Sequence, residues 1–196
     1  MNTTNADYFT FNVHNSIFLT GQTGSGKSYL VHELVKRFEK AYSSDEMKYA
    51  FFDLKQCEFG EALGTVKPEY LLFDIQVGGE QSFLKLEGLA ELAVKRAHDN
   101  LTKPFIFVYL EECDMAVTEQ GRFDKAVTTI NENANAANMK FIYSTSRPSK
   151  DVISKQLLSS FDLILSGHIQ EFDAEYLGVK YIPVFEANHD FQVSEL

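Results

Sequence analysis

The stretch Ser16-Ile17-Phe18-Leu19-Thr20-Gly21-Gln22-Thr23-Gly24-Ser25-Gly26-Lys27-Ser28-Tyr29 decides how the rest of the chain is read. Its first five residues form a strand-length, mostly apolar run that leads without a break into the pattern G-x-x-x-x-G-K-[ST]. From Lys27 to Lys40 the apolar residues return at helical spacing, with Leu30, Val31, Leu34, Val35 and Phe38 on one face. Strand, glycine-rich loop and amphipathic helix together are the context that a phosphate-binding loop requires. Such a loop brings backbone N–H groups close to phosphate oxygens, and the following helix N-terminus adds its partial positive charge. The reading therefore assigns nucleotide contact to Gly21, Gln22, Thr23, Gly24, Ser25, Gly26, Lys27, Ser28 and Tyr29. Lys27 is expected to reach the β- and γ-phosphates of ATP, and the Ser28 hydroxyl to ligate Mg2+.

Outward from this loop, short apolar runs alternate with longer helical patterns, which is the signature of an α/β protein. Strands are expected at 48–54, 70–75, 105–110, 140–145 and 162–165, with further helices at 81–100 and 123–137. The second helix should bury Leu84, Leu86, Leu89, Leu92, Ala93 and Ala97. Strands that are apolar throughout indicate a parallel sheet covered on both faces. The expected fold is a RecA-like P-loop NTPase, a mostly parallel central sheet between helical layers. One domain is expected over 1–196, with its core at about 16–167 and short strands or a hairpin over 168–196.

Length and composition agree with a single soluble α/β domain: 196 residues, of which 44% are apolar and 23% charged. No apolar run approaches the roughly 20 residues that span a bilayer. Residues Met1 to Asp7 lack the basic start and apolar middle of a signal peptide, and Cys57 and Cys113 show no zinc or disulfide spacing. A cytoplasmic location is the expectation. The net charge of −10 opposes tight DNA binding by a monomer, while leaving room for a ring whose pore presents lysines inside an acidic shell.

The most apolar strand, Phe105 to Leu110, runs into Glu111-Glu112. Carboxylates ending a buried strand beside a phosphate loop can hold a hydrated metal and polarise the attacking water. Glu111 is assigned to the metal and Glu112 to water activation, and the sequence permits the reverse. A third segment, Tyr143-Ser144-Thr145-Ser146-Arg147-Pro148-Ser149-Lys150-Asp151-Val152-Ile153, follows the next strand.

Read together with Asp53-Leu54-Lys55 and Glu58-Phe59, these motifs resemble the motor domain of the FtsK/HerA family of DNA-pumping ATPases. The loop matches that family's Gly-x-Thr-Gly-Ser-Gly-Lys-Ser in full. Asp53-Leu54-Lys55 is similar to its Asp-Pro-Lys segment, and Ser144 through Ile153 to its Ala-Thr-Gln-Arg-Pro-Ser and Asp-Val-Ile stretch. The resemblance runs from about Ser16 to Gly167. It implies an Mg2+-dependent ATPase that forms a homo-oligomeric ring and moves double-stranded DNA without reading its sequence. Glu111 stands where the family carries Asp. Ser146 replaces a γ-phosphate-sensing Gln, which passes sensing to Thr145 or Ser146. The family's rings complete catalysis with an arginine from a neighbouring subunit. This chain has only Arg37, Arg96, Arg122 and Arg147, so Arg147 or Arg122 is the candidate, with Lys155 as a substitute. Arg147 could equally be structural, tying its loop to the Asp53–Glu58 segment. Lys55, Lys67, Lys85 and the Lys150–Lys155 loop are the candidate DNA contacts.

No membrane-spanning or DNA-sequence-reading segment accompanies the motor motifs, which suits viral or phage genome packaging with capsid or assembly proteins as further partners. DNA transfer for a plasmid or mobile element is the alternative in the same class. An ATPase acting on protein in a secretion or assembly complex, and a scaffold that binds ATP and barely turns it over, are the alternatives from other classes.

Overall fold

The computed structural model describes residues 14–54, 59, 66–111, 119–150 and 152–179, with the backbone of 192–195. In chain order the elements are β1 (Ser16–Thr20), α1 (Lys27–Ala41), β2 (Met47–Asp53), a 3-10 turn at Pro68–Tyr70, α2 (Gly79–His98) and β3 (Phe105–Glu111). They continue with α3 (Gln120–Asn133), β4 (Met139–Thr145), α4 (Lys155–Leu158), β5 (Leu163–Ser166), α5 (Glu171–Leu177) and β6 (Gln192–Glu195). The sheet order is β2-β3-β4-β1-β5-β6. The first five of these strands are mutually parallel, and β6 joins β5 antiparallel.

The strand centres are apolar because both faces of the sheet are covered, and the polar residues fall at or near the strand ends. On one face Ile17, Leu19, Tyr49, Phe51, Phe107 and Ile142 meet Leu30, Val31, Leu34 and Val35 of α1. On the other, Phe18, Phe52, Val108, Leu110, Phe141 and Tyr143 meet α2 through Phe83, Leu86 and Leu89, and α3 through Phe123 and Val127. This is the three-layer α/β architecture expected from the sequence.

Three local expectations changed. In place of a strand at 70–75, the 3-10 turn is followed by two isolated bridges to β2, Tyr49↔Leu71 and Phe52↔Gln76. Pro68 starts the turn, and only Leu72 N–H and Gln76 N–H reach β2 carbonyls, too few to make a ladder. Helix α2 begins at Gly79 and rotates its buried stripe onto Phe83, Leu86, Leu89, Ala90, Ala93 and Arg96, leaving Leu84 half-exposed. The region 168–179, expected to be extended, contains α5. Acidic residues in its first turn, Glu171 and Asp173, and a left-handed Gly178 at its end are the helix signals there. Residues 180–191, the rest of the expected hairpin, lie outside the described residues.

Candidate functional site

Parallel topology brings the carboxyl ends of five strands to one edge, where open α/β sheets place their sites. The glycine-rich loop leaves β1 in the middle of that edge. Gly21 has φ +152°, and a Cβ there would lie 2.5 Å from Ser25 Oγ and 3.3 Å from Gly167 Cα, so the close turn requires glycine. The loop is fastened to the exit of β5, with Gly167 N–H donating to Thr20 O at 2.8 Å and Gln22 N–H to His168 O at 2.7 Å. Ser25 N–H closes it internally onto Gln22 O at 3.0 Å.

Gly26, at φ +92°, caps α1 from the left-handed region. Gly26 offers no side-chain cap and no acidic residue sits in the first turn of α1, which leaves that helix N-terminus suited to an anion. Lys27 is 8% exposed, and its ammonium lies across the loop, donating to Gly21 O at 2.6 Å and Gln22 O at 3.5 Å. Ser28 is half-buried beside it, whereas Tyr29 is 72% exposed on the outer side of the first turn.

Sheet register then sets a row of side chains beside the loop. Asp53 of β2 pairs with Glu111 of β3, Glu111 with Ser144 of β4, and Ser144 with Leu19 of β1. In-register neighbours on parallel strands share a face, so Asp53, Glu111 and Ser144 lie on the side of the sheet that α1 covers. All three are buried. Asp53 Oδ2 accepts the Phe59 N–H at 2.8 Å, and Phe59 stacks on Phe51 at 4.3 Å and meets the tilted ring of His32 of α1 at 4.9 Å. The Asp53 segment is thereby tied to the helix that follows the loop. Because β4 lies between β1 and β3, the Glu111 strand stands one strand away from the loop strand.

Thr145 is one residue beyond Ser144 and turns to the opposite face. Its carbonyl accepts the Thr20 hydroxyl at 3.0 Å, and its Oγ1 accepts the Arg147 N–H at 3.0 Å, so it shapes the turn that carries Ser146 and Arg147. Ser144, which sequence reasoning passed over as a site residue, shares a row with Glu111. Strand alternation counted two residues on from Ile142, which packs on the α1 face, is the signal that finds it. Glu112 lies outside the described residues, as do Lys55, Glu58 and Asp151.

The arginines separate by environment. Arg96 is buried and donates to Ala137 O and Pro104 O. Arg122 grips Glu87 through both carboxylate oxygens at 2.9 Å, pairs with Glu119 at 2.7 Å and Glu80 at 3.2 Å, and covers the Phe83 ring. The hydrogen bonds to Glu87, then those to Glu80 and Glu119, raise its already high pKa and hold it between α2 and α3. Arg147 is exposed immediately after β4, and its guanidinium makes no hydrogen bond or ion pair among the described residues. Of the candidate lysines, Lys67, Lys85 and Lys155 lie over the rings of Tyr70, Phe73 and Tyr176.

No protein-family model matches the chain, and no curated protein matches it. Solved structures do. EssC (ATPases 2 and 3) from Geobacillus thermodenitrificans aligns with TM-score 0.72 at 17% identity, covering 95% of this chain and 39% of that one. The pCW3 conjugation coupling protein TcpA, solved with ATPγS, aligns with TM-score 0.68 at 16% identity over 95% of this chain and 61% of its own. The genome packaging NTPase B204 from Sulfolobus turreted icosahedral virus 2, in complex with ATPγS, gives TM-score 0.51 at 20% identity, over 86% and 82% of the two chains. The chain thus spans well under two thirds of EssC and slightly under two thirds of TcpA. Likeness at such identities establishes the fold alone: this chain has the RecA-like fold of P-loop ATPases, a parallel sheet between helical layers with its glycine-rich loop at the carboxyl edge.

Proposed function

We propose that this chain hydrolyses Mg2+-ATP and, as a homo-oligomeric ring, moves double-stranded DNA in viral or phage genome packaging. The observation that carries the ATPase part is the pairing of an uncapped α1 N-terminus and Lys27 with a buried Glu111 in the adjoining strand row. Solved P-loop ATPases with nucleotide analogues share the fold, which supports the same reading. The packaging part rests on the motif resemblance and on the shared fold of a genome packaging NTPase.

In this reading the loop amides from Gly21 to Ser28 cradle the phosphates, and Lys27 turns from the loop carbonyls to the β- and γ-phosphates. Tyr29 lies alongside. A hydroxyl at Ser28 and a carboxylate at Glu111 are hard oxygen donors of the kind Mg2+ takes, few enough to leave room for water and phosphate oxygens. Among the described residues no group of three His, Cys, Asp or Glu side chains could hold a metal by itself, in keeping with a cation shared with the nucleotide. Bound there, Mg2+ would neutralise charge on the transferred phosphoryl group. Glu112 takes the proton of the attacking water, Thr145 and Ser146 shape the γ-phosphate side, and Arg147 serves a neighbouring subunit's site. Arg122 is the weaker candidate for that last role because three glutamates already hold it.

The test is ATP turnover by the assembled protein with and without duplex DNA. DNA should raise turnover severalfold, Glu112→Gln should abolish it, and Arg147→Ala should abolish it while Arg122→Ala leaves most of it. Mixing Arg147→Ala with Lys27→Ala subunits should restore some activity, because each supplies what the other lacks. Turnover indifferent to DNA in an assembled ring ends the DNA part of the reading. A protein cargo is the second reading, favoured by the net charge of −10 and by the fold shared with EccC, solved in complex with a signal sequence peptide. Stimulation by a basic partner protein and not by DNA would select it. No helix among the described residues is long and apolar enough to cross a membrane.

A further inference from the structure

Ser144 is fully buried, and its Oγ has no hydrogen-bond partner among the described residues. A buried hydroxyl left unpaired is unfavourable, and such groups in native folds call for an explanation. Location supplies one. Ser144 lies in register between Glu111 and Leu19, one strand from each, on the face covered by α1. The other strand-end hydroxyls here are spoken for, although Ser25 Oγ of the loop is also buried without a partner: Thr20 donates to Thr145 O, Thr145 Oγ1 accepts from Arg147 N–H, and Ser166 donates to Gly167 O. Among the described residues, Ser144 is the serine or threonine hydroxyl of the carboxyl strand ends that is left without a partner.

We propose that Ser144 is a binding residue for the hydrated metal of the nucleotide complex, its Oγ accepting a hydrogen bond from metal-bound water in the same row as Glu111. A metal-bound water is a strong donor, and a neutral hydroxyl beside a carboxylate adds a second acceptor without adding charge. The position suits that task because β4 separates the loop strand from the Glu111 strand, so a group bridging the two passes over Ser144. The inference rests on the nucleotide-site reading and deepens it. It concerns Ser144 in place of Thr145 and Ser146, whose sensing role was inferred from the motif alone.

The experiment measures the affinity of a fluorescent ATP analogue for wild type, Ser144→Ala and Ser144→Cys, each with Mg2+ and with EDTA, beside the melting temperature of each nucleotide-free protein. In EDTA the three proteins should bind equally. The gain in affinity on adding Mg2+ should fall about tenfold in both variants, equivalent to about 1.4 kcal/mol. The nucleotide-free Ser144→Ala protein should melt no lower than wild type, since it loses no bond. An equal Mg2+ gain in all three proteins overturns the proposal, and so does a lowered melting temperature with the Mg2+ gain intact, which would mark Ser144 as purely structural. If wild type binds no nucleotide in either buffer, the nucleotide-site reading has failed and this proposal falls with it, whereas binding in EDTA with a variant-independent Mg2+ gain removes this proposal alone.

Discussion

The two edges of the parallel sheet are built from similar residue types and use them in opposite ways. At the amino edge, polar side chains are spent on the fold. Arg96 bonds Ala137 O at 2.9 Å and Pro104 O at 2.6 Å, joining the ends of α2, β3 and β4. Asn138 donates to Thr102 O at 2.6 Å, Lys140 reaches Asn15 and His14, and Asp162 Oδ2 accepts the N–H groups of Asn15 and Ser16. At the carboxyl edge, the α1 N-terminus carries no side-chain cap and Ser144 Oγ is left without a partner. Satisfied polar groups close one end of the sheet, while at the other an α1 N-terminus without a side-chain cap and an unpaired Ser144 hydroxyl stand beside Lys27 and the carboxylates. The difference teaches where binding energy is stored: a group already bonded within the fold has little left to give a ligand.

The contrast breaks if substitutions at the two edges act alike. The largest effect is expected for Lys27→Ala, which should lower ATP turnover by about 100- to 1,000-fold, as loss of one transition-state cation or donor does, with little change in melting temperature. Steady-state phosphate release and a thermal melt check both halves of that statement. Arg96→Ala should do the reverse. It removes the Arg96 bonds to the buried Ala137 carbonyl and the half-buried Pro104 carbonyl, at a cost of about 2–4 kcal/mol, or roughly 5–15 °C in Tm for a domain of this size, while the folded protein keeps its turnover per molecule.

Gly21→Ala sharpens the carboxyl-edge side. Its Cβ would meet Ser25 Oγ at 2.5 Å at a φ of +152°, so the loop must open. Strain and overlap of about 1–3 kcal/mol should appear as a nucleotide affinity lowered by roughly tenfold or more, read by calorimetry. A Gly24→Ala control carries the backbone strain of its φ of +86° but meets no described atom within 4 Å of its added Cβ, so it lacks the overlap and should lose less.

The smallest effect concerns Asp124 of α3, away from both edges. Burial raises its pKa above the ordinary 3.8, against a smaller lowering by its hydrogen bond from Ser154. A raised folded pKa means the folded state holds its proton where the unfolded state has released it. Stability therefore falls as pH rises from the ordinary aspartate value through the raised one, and is lowest above that window. Asp124→Asn should flatten this slope and leave stability at neutral pH equal or slightly higher, as denaturant midpoints across pH would show.

Much of this was legible in the chain itself. Glycine spacing, Lys27 and the apolar run before them point to the proposed phosphate loop because few other structures need that order of residue types. The continuous apolar run at 105–110 and the shorter one at 141–143 indicate buried parallel strands because both faces must be apolar. Short-range signals failed where tertiary contacts intervened: the 70–75 run became a turn bridging β2 at two points, and α2 rotated to bury Arg96 in place of Leu84. Arg122 and Arg147 are indistinguishable as letters. Only their surroundings, three glutamates around one and open solvent at the other, separate them.

By itself, then, the sequence determined the loop, the strand that ends in Glu111 and the fold class, since each rests on residues adjacent in the chain. Tertiary structure alone decided that Asp53, Glu111 and Ser144 form one row, because strand register joins residues far apart in sequence. It also decided which strand-end hydroxyl among the described residues is left unpaired, because hydrogen-bond satisfaction belongs to the assembled sheet and not to any one strand.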